Sequence, residues 1–155
     1  MKMLTRWMIA LAAGLPMAGC GDVGRLSTSP AMDATGTWTG TLGAPGSGSA
    51  LRMTWIASQS GNLAAGPMTL VKPAPNIPAT GPLTGVVSGG QLLLTYNVPA
   101  GSVAGFASCS ILGSGSGTLS GSTLTGVLEL TFTSCGGASS GLEPPASSQF
   151  TLTKQ

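Results

Sequence analysis

The sequence predicts an all-β protein, an antiparallel meander of about eight strands. Apolar and polar residues alternate in short runs, which is the pattern of half-buried strands. Clusters of glycine, serine and proline lie between those runs, as tight turns require. Beyond the N-terminal segment, no stretch of about 10–15 residues shows helical spacing, so crossover helices and a parallel sheet are not supported.

The first strand is predicted at 37–42, where a tryptophan, a glycine and a leucine share one face and three threonines occupy the other. The second is predicted at 51–55, with Arg52 and Thr54 directed outward. Six further segments follow the same alternation: 62–71, 80–87, 91–97, 108–120, 123–134 and 148–154.

Antiparallel pairing is expected between consecutive strands because the turns between them are short. Closing the strands on themselves removes the exposed edges of the sheet, which predicts an up-and-down β-barrel. A two-sheet β-sandwich is the alternative. The side chains predicted to point inward are mostly large and apolar: Trp38, Met53, Trp55, Leu92, Leu94, Tyr96, Leu128, Leu130, Phe132, Phe150 and Leu152.

The turn at 120–123 fixes the register of one hairpin. Gly121 stands at the first central position of a two-residue turn, where a positive φ is needed. Pairing Ser120 with Thr123 brings the large apolar side chains of both strands onto one face, which supports this register.

Two cysteines lie at the open end of this hairpin. The register places Cys109 opposite Ser134, one residue short of Cys135, and a single bulge or a three-residue turn would align the two sulfurs. We therefore predict a Cys109–Cys135 disulfide. A metal or redox pair is disfavoured because the chain has no histidine and no Cys-x-x-Cys motif.

Residues 1–20 have the three parts of a secretory signal. Lys2 and Arg6 form a basic region, and small residues precede Cys20. The apolar stretch between them has about ten residues, too few for a bilayer core that needs about 20. The motif Met-Ala-Gly-Cys at 17–20 resembles the lipobox of bacterial lipoproteins. This resemblance implies a signal peptide at 1–19 and lipidation of the Cys20 sulfur after cleavage.

Lipidation would anchor the protein to a membrane of the bacterial cell envelope and would remove the odd cysteine from the count of free thiols. Because Gly21, and not aspartate, follows the cysteine, the resemblance implies the outer membrane. Residues 20–35 lack periodicity and are predicted to form a flexible tether about 20 Å long on average. Residues 36–155 are predicted to form a single all-β domain.

The charges argue against nucleic acid as a partner. Without the signal, the formal charge is zero. Such a chain has no basic surface for phosphate groups. The charges that balance are Arg25, Arg52, Lys72 and Lys154 against Asp22, Asp33, Glu129 and Glu143.

Groups that could carry catalysis are scarce, so we predict no catalytic residue, metal site or cofactor. Histidine is absent, which removes the commonest general base and metal ligand. Glu129 is predicted to face solvent on a strand, and Glu143 lies in a loop beside two prolines. The many serines have no base for a triad, and Lys72 is a loop charge before a proline.

The start of the first strand, Gly36-Thr-Trp38, resembles the opening of the calycin barrels, the lipocalins and avidins. The resemblance implies that Trp38 closes one end of the barrel and that a basic residue of the last strand packs on it. Lys154 is the residue available for that contact. It also implies an interior that can hold a small ligand.

Two kinds of binding function follow. In the first, a small apolar ligand lies inside the barrel, lined by Trp38, Met53, Trp55, Tyr96 and Phe132. Glycines at 113, 115 and 117 leave room for such a cavity. In the second, the barrel core is filled, as in most small eight-stranded barrels. The loops at 43–49 and 136–145 then bind an envelope protein, as in a structural or inhibitor-like lipoprotein.

Overall fold

The computed structural model describes residues 32–44, 49–136 and 147–155. The predicted signal peptide and lipidation site lie outside these residues, as do Glu143 and parts of both predicted binding loops. In the part described, no helix is long and apolar enough to cross a membrane.

Eight antiparallel strands form a closed barrel, which confirms the predicted fold class and excludes the sandwich. Each strand pairs with the next in sequence, and the last pairs with the first. The strands are β1 (Gly36–Leu42), β2 (Leu51–Ser60), β3 (Leu63–Lys72), β4 (Ile77–Ser88), β5 (Gln91–Val98), β6 (Ser110–Ser120), β7 (Thr123–Thr133) and β8 (Ser147–Lys154).

Two strands are longer than predicted by four residues or more. β2 continues to Ser60, because the small residues after Ile56 keep the alternation without an apolar signal. β4 begins at Ile77 and so includes Pro78, which the sequence placed in a loop, as well as Pro82, which lies inside the predicted strand. Pairing of β4 with β5 stops at Leu83, so Pro82 lies where β4 pairs with β3 alone. The missing N–H of Pro82 therefore disrupts the sheet less than it would at a position paired on both sides.

One apolar core fills the barrel. Ten of the eleven side chains predicted to point inward are buried, and Phe132 is partly buried against the same core. Threonines and serines occupy most of the outer positions of the strands, as their alternation with apolar residues requires. The apolar inner face and polar outer face are therefore set by the period-two pattern.

The two ends of the barrel differ. At the turn end, two-residue turns at 61–62, 89–90 and 121–122 join neighbouring strands. At the loop end, the connections are longer and occupy 43–50, 73–76, 99–109 and 134–146. The 99–109 connection folds over the loop end, where Val103 forms a β-bridge with Ala79 and is buried.

The predicted disulfide is present. The pairing of β6 with β7 has the predicted register, from Ser120 opposite Thr123 to Ser110 opposite Thr133. Ser134 then adopts a φ of 58°, and this extra residue brings Cys135 opposite Cys109. The two Cα atoms are 4.3 Å apart, and both cysteines are buried.

Candidate functional site

Trp38 is completely buried near the turn end of the barrel. Its indole Nε1 donates a hydrogen bond of 2.7 Å to the carbonyl oxygen of Ala34, in the segment that leads into β1. Lys154 Nζ lies 5.7 Å from the centroid of the Trp38 ring and 3.7 Å from Asp33 Oδ2. The contact that the calycin resemblance implies for Lys154 is therefore present, and it attaches the last strand to the entry segment.

Asp33 is exposed and is held in place by local hydrogen bonds. The backbone N–H of Thr35 donates to Asp33 Oδ1 at 2.9 Å. Together with the Thr35 side chain and, to a smaller extent, Lys154, this bond lowers the pKa of Asp33 below its ordinary value. The carboxylate therefore stays ionised at neutral pH and remains available to the Lys154 ammonium.

Met53 and Trp55 lie in the barrel interior, as predicted. Trp55 is opposite Trp38 on one side and Met68 on the other, and its side chain is completely buried. Trp55 Nε1 is buried with no hydrogen-bond partner among the described residues. An unpaired buried N–H costs about 1–3 kcal/mol, so the packing around Trp55 must offset it.

Tyr96 connects β5 to β3 and β4, the two preceding strands of the barrel wall. Its hydroxyl lies 3.0 Å from the carbonyl oxygen of Ala79 and 3.3 Å from that of Met68, and it donates its proton between them. Burial raises the pKa of the Tyr96 hydroxyl well above its ordinary value. The phenol is therefore a neutral donor across the physiological range, with a structural role.

We expect Tyr96→Phe to destabilise the barrel by about 1 kcal/mol, because the ring still fills its place while one buried hydrogen bond is lost. Urea unfolding followed by tryptophan fluorescence measures the effect. The matched control is Thr95→Ala, on the exposed face of the same strand, which we expect to change stability by less than about 0.5 kcal/mol. A Tyr96→Phe midpoint equal to that of wild type would contradict a role for the hydroxyl.

The space above the β6 glycines is occupied. A Cβ atom built on Gly113 would lie 2.7 Å from Leu130 Cδ2 and 3.2 Å from Tyr96 Cβ. One built on Gly117 would lie 3.0 Å from Leu124 Cδ1 and 3.1 Å from Phe150 Cζ. The glycines therefore make room for neighbouring side chains, and they do not open the cavity that the sequence suggested.

Four cavities among the described residues open on the barrel exterior. The best formed has a volume of about 360 Å³ and lies beside the β1–β8 seam at the loop end, lined by Thr41, Ala44, Ser147 and Gln149 among others. Two shallower ones lie on the outer face of β5–β7. The five predicted ligand-lining residues are brought together as neighbours in a packed core, with Phe132 at its partly exposed margin.

Glu129, the carboxylate nearest to the centre of the sheet, projects from the outer face of β7 opposite Ser114. Lys72 ends β3 at the loop end. Within residues 32–44, 49–136 and 147–155, no three histidine, cysteine or acidic side chains come together as metal ligands would.

Sequence reasoning missed a feature of the outer surface. Leu63, Val86 and Leu93 are 47%, 43% and 56% exposed and are direct cross-strand partners on β3, β4 and β5. We call these three residues the aliphatic row. Each is an outward residue in an alternating strand, so the signal was present, but only the register shows that the three are adjacent.

Comparison of the chain with protein-family models, curated proteins and solved structures finds no match. The function is therefore inferred from the residues and their geometry. Three features bear on it: the filled interior, the separation of the turn end from the loop end, and the aliphatic row.

Proposed function

We propose that this protein is a lipid-anchored lipoprotein of the bacterial cell envelope, whose barrel is a non-enzymatic module that binds an envelope protein through its loop end. The packed interior is the observation that carries this choice. Large side chains such as Trp38, Trp55 and Tyr96 are completely buried, and neighbours fill the space above the glycines. A small apolar ligand in the barrel would have to displace them, so it is the second candidate function.

The position of the entry segment supports the role of the loop end. The lipobox-like motif at 17–20 precedes β1, and β1 begins at the turn end, where Trp38 and Lys154 hold residues 33–34. An anchor at Cys20 would therefore hold the turn end towards the membrane. The loops at the opposite end would then face the envelope space, where a protein partner can reach them.

The anchor is tested by metabolic labelling with an alkyne analogue of palmitate in the native bacterium. We expect wild type to carry the label and Cys20→Ser to lose it, because the sulfur is the acylated atom. A Cys109→Ser/Cys135→Ser double variant is the matched control and should keep the label on denaturing gels. Label retained by Cys20→Ser would refute the anchor, and wild-type protein in the inner-membrane fraction would refute outer-membrane placement.

The binding mode is tested separately by native mass spectrometry and photo-crosslinking. Protein purified from its own envelope should carry no small molecule, and a stoichiometric apolar compound would instead support the interior site. A photoreactive residue at Ala104 or Ala107, both exposed on the 99–109 connection, should give one discrete protein adduct. The same residue at Asn62 or Ser122, in turns at the turn end, should not.

A further inference from the structure

The aliphatic row forms a continuous apolar strip across three strands. Leu63 is the Cα partner of Val86, and Val86 is the partner of Leu93. Neighbouring strands lie about 4.8 Å apart, so the three side chains span about 10 Å on the outside of the barrel. A closed barrel has no free strand edge, so contacts on this side of the molecule must be made by side chains.

The β3–β5 face carries no charge near the row. β4 and β5 contain no charged residue, and Lys72 lies at the far end of β3. The outer neighbours of the row are small or neutral: Ser60, Ala65, Thr84, Ser88, Gln91, Thr95 and Ser116. A charge lies beyond this face, where Glu129 on β7 lines a shallow surface cavity with Leu93. The β3–β5 face itself can therefore be dehydrated without burying a charge, which suits the boundary between neutral lipid headgroups and acyl chains.

The entry segment lies beside the row. Ala34 N donates to Gln59 Oε1 at 2.7 Å, Gln59 N donates to Thr35 Oγ1 at 3.2 Å, and Gln59 Nε2 donates to the carbonyl oxygen of Gly61 at 2.9 Å. These bonds fix the chain before β1 against the β2–β3 turn. Leu63 begins β3 immediately after that turn, so the tether enters at the end of the barrel that carries the row.

The tether is short enough to keep the row at the membrane. Twelve residue steps separate Cys20 from Met32, the first described residue, and the tether predicted from the sequence would span about 20 Å on average over that length. A surface held this close to the bilayer meets it at an effective concentration in the millimolar range, so weak intrinsic affinity suffices.

A homodimer is the other occupant to consider for this face. A stable dimer interface would bury about 800 Å² of surface on each partner, and three half-exposed side chains supply only a fraction of that area.

We infer that Leu63, Val86 and Leu93 dock the barrel onto the bilayer that Cys20 anchors it to, so that the turn-end part of the β3–β5 face contacts the lipid surface. This inference rests on the lipid anchor of the proposed function. It adds an orientation: the turn end, with its part of the β3–β5 face, touches the membrane, and the loop end is held away from it.

The test uses the full lipidated chain in phosphatidylcholine vesicles that contain a photoactivatable acyl chain. Lipid crosslinks mapped by mass spectrometry should concentrate on peptides of β3–β5. Leu93→Asp should lower the yield there about fivefold, because it removes an apolar contact with lipid and introduces a charge that would have to be dehydrated. Leu112→Asp is the matched control, because Leu112 is 57% exposed on β6, outside the row, and it should leave the yield unchanged.

Each result has a distinct consequence. If the lipid crosslinks are spread evenly over the barrel, or if their yield on β3–β5 is unchanged in Leu93→Asp, the docking is refuted while the anchor stands. Copy-to-copy crosslinks through the row overturn it in favour of a dimer. If mass analysis of the same sample finds no lipid on Cys20, the anchor and the docking both fail. Circular dichroism of both variants checks that each remains folded.

Discussion

Replacing Gly115 by alanine is expected to destabilise the barrel by about 3 kcal/mol or more, at the upper end of what overpacking costs. A Cβ atom at this position would overlap the carbonyl oxygen of Val127 and lie 3.0 Å from Leu128 Cα. Both are backbone atoms of β7, so no side chain can rotate to relieve the contact. β6 and β7 would have to separate, which disrupts the pairing on either side.

The sign of this effect is informative. At an unstrained strand position, glycine to alanine is expected to stabilise a protein by about 0.5–1 kcal/mol, because it lowers the entropy of the unfolded chain. Guanidinium unfolding followed by the fluorescence of the buried Trp38 and Trp55 measures the change. Ser116→Ala, on the outward face next to Gly115, is the control and should shift stability by less than about 0.5 kcal/mol. A Gly115→Ala protein as stable as wild type would show that β6 and β7 are not this close.

Removing the disulfide is expected to have an effect of similar size. Cys109 and Cys135 are 26 residues apart in sequence, and closing a loop of that length is worth about 3.5 kcal/mol in the chain-entropy model. For a domain of about 120 residues this lowers Tm by about 14 °C. The bond joins two chain segments at the loop end, where one longer connection precedes β6 and another follows β7, so this end should lose its structure first.

The measurement compares thermal unfolding, by circular dichroism, of wild type with that of a Cys109→Ala/Cys135→Ala variant. Wild type treated with a reducing agent should match the double variant, which separates loss of the bond from loss of the side chains. Free thiols at both positions in protein isolated from the periplasm would contradict the disulfide. An unchanged Tm would contradict its contribution to stability.

Much of the barrel follows from local sequence. The register of the β6–β7 hairpin could be predicted because the turn type at 120–123 and the common apolar face of the two strands require the same pairing. With a one-residue bulge, that register also predicted the disulfide. The ends of β2 and β4 could not be predicted, because the small residues after Ile56 and Pro78 in β4 carry no strand signal of their own. Ser58–Ser60 and Pro78 are held in strands by pairing with β3.

The candidate ligand-lining residues could likewise be predicted only in part. Alternation alone was enough to direct Trp38, Met53, Trp55 and Tyr96 inward, because inside and outside differ by one residue along a strand. Whether they surround a ligand or one another was not encoded locally. The answer depends on which side chains of opposite strands reach across the interior, and that depends on the register of all eight pairs.

The sequence by itself determined the all-β meander, the inward faces, the paired cysteines and the scarcity of reactive groups, since each follows from period, turn chemistry or composition. Tertiary structure alone decided two things: that Leu130, Leu124 and Phe150 fill the space above Gly113 and Gly117, and that the members of the aliphatic row are adjacent. The physical reason is that these contacts join residues from different strands. Their distances are set when the barrel closes, and no local stretch of chain specifies them.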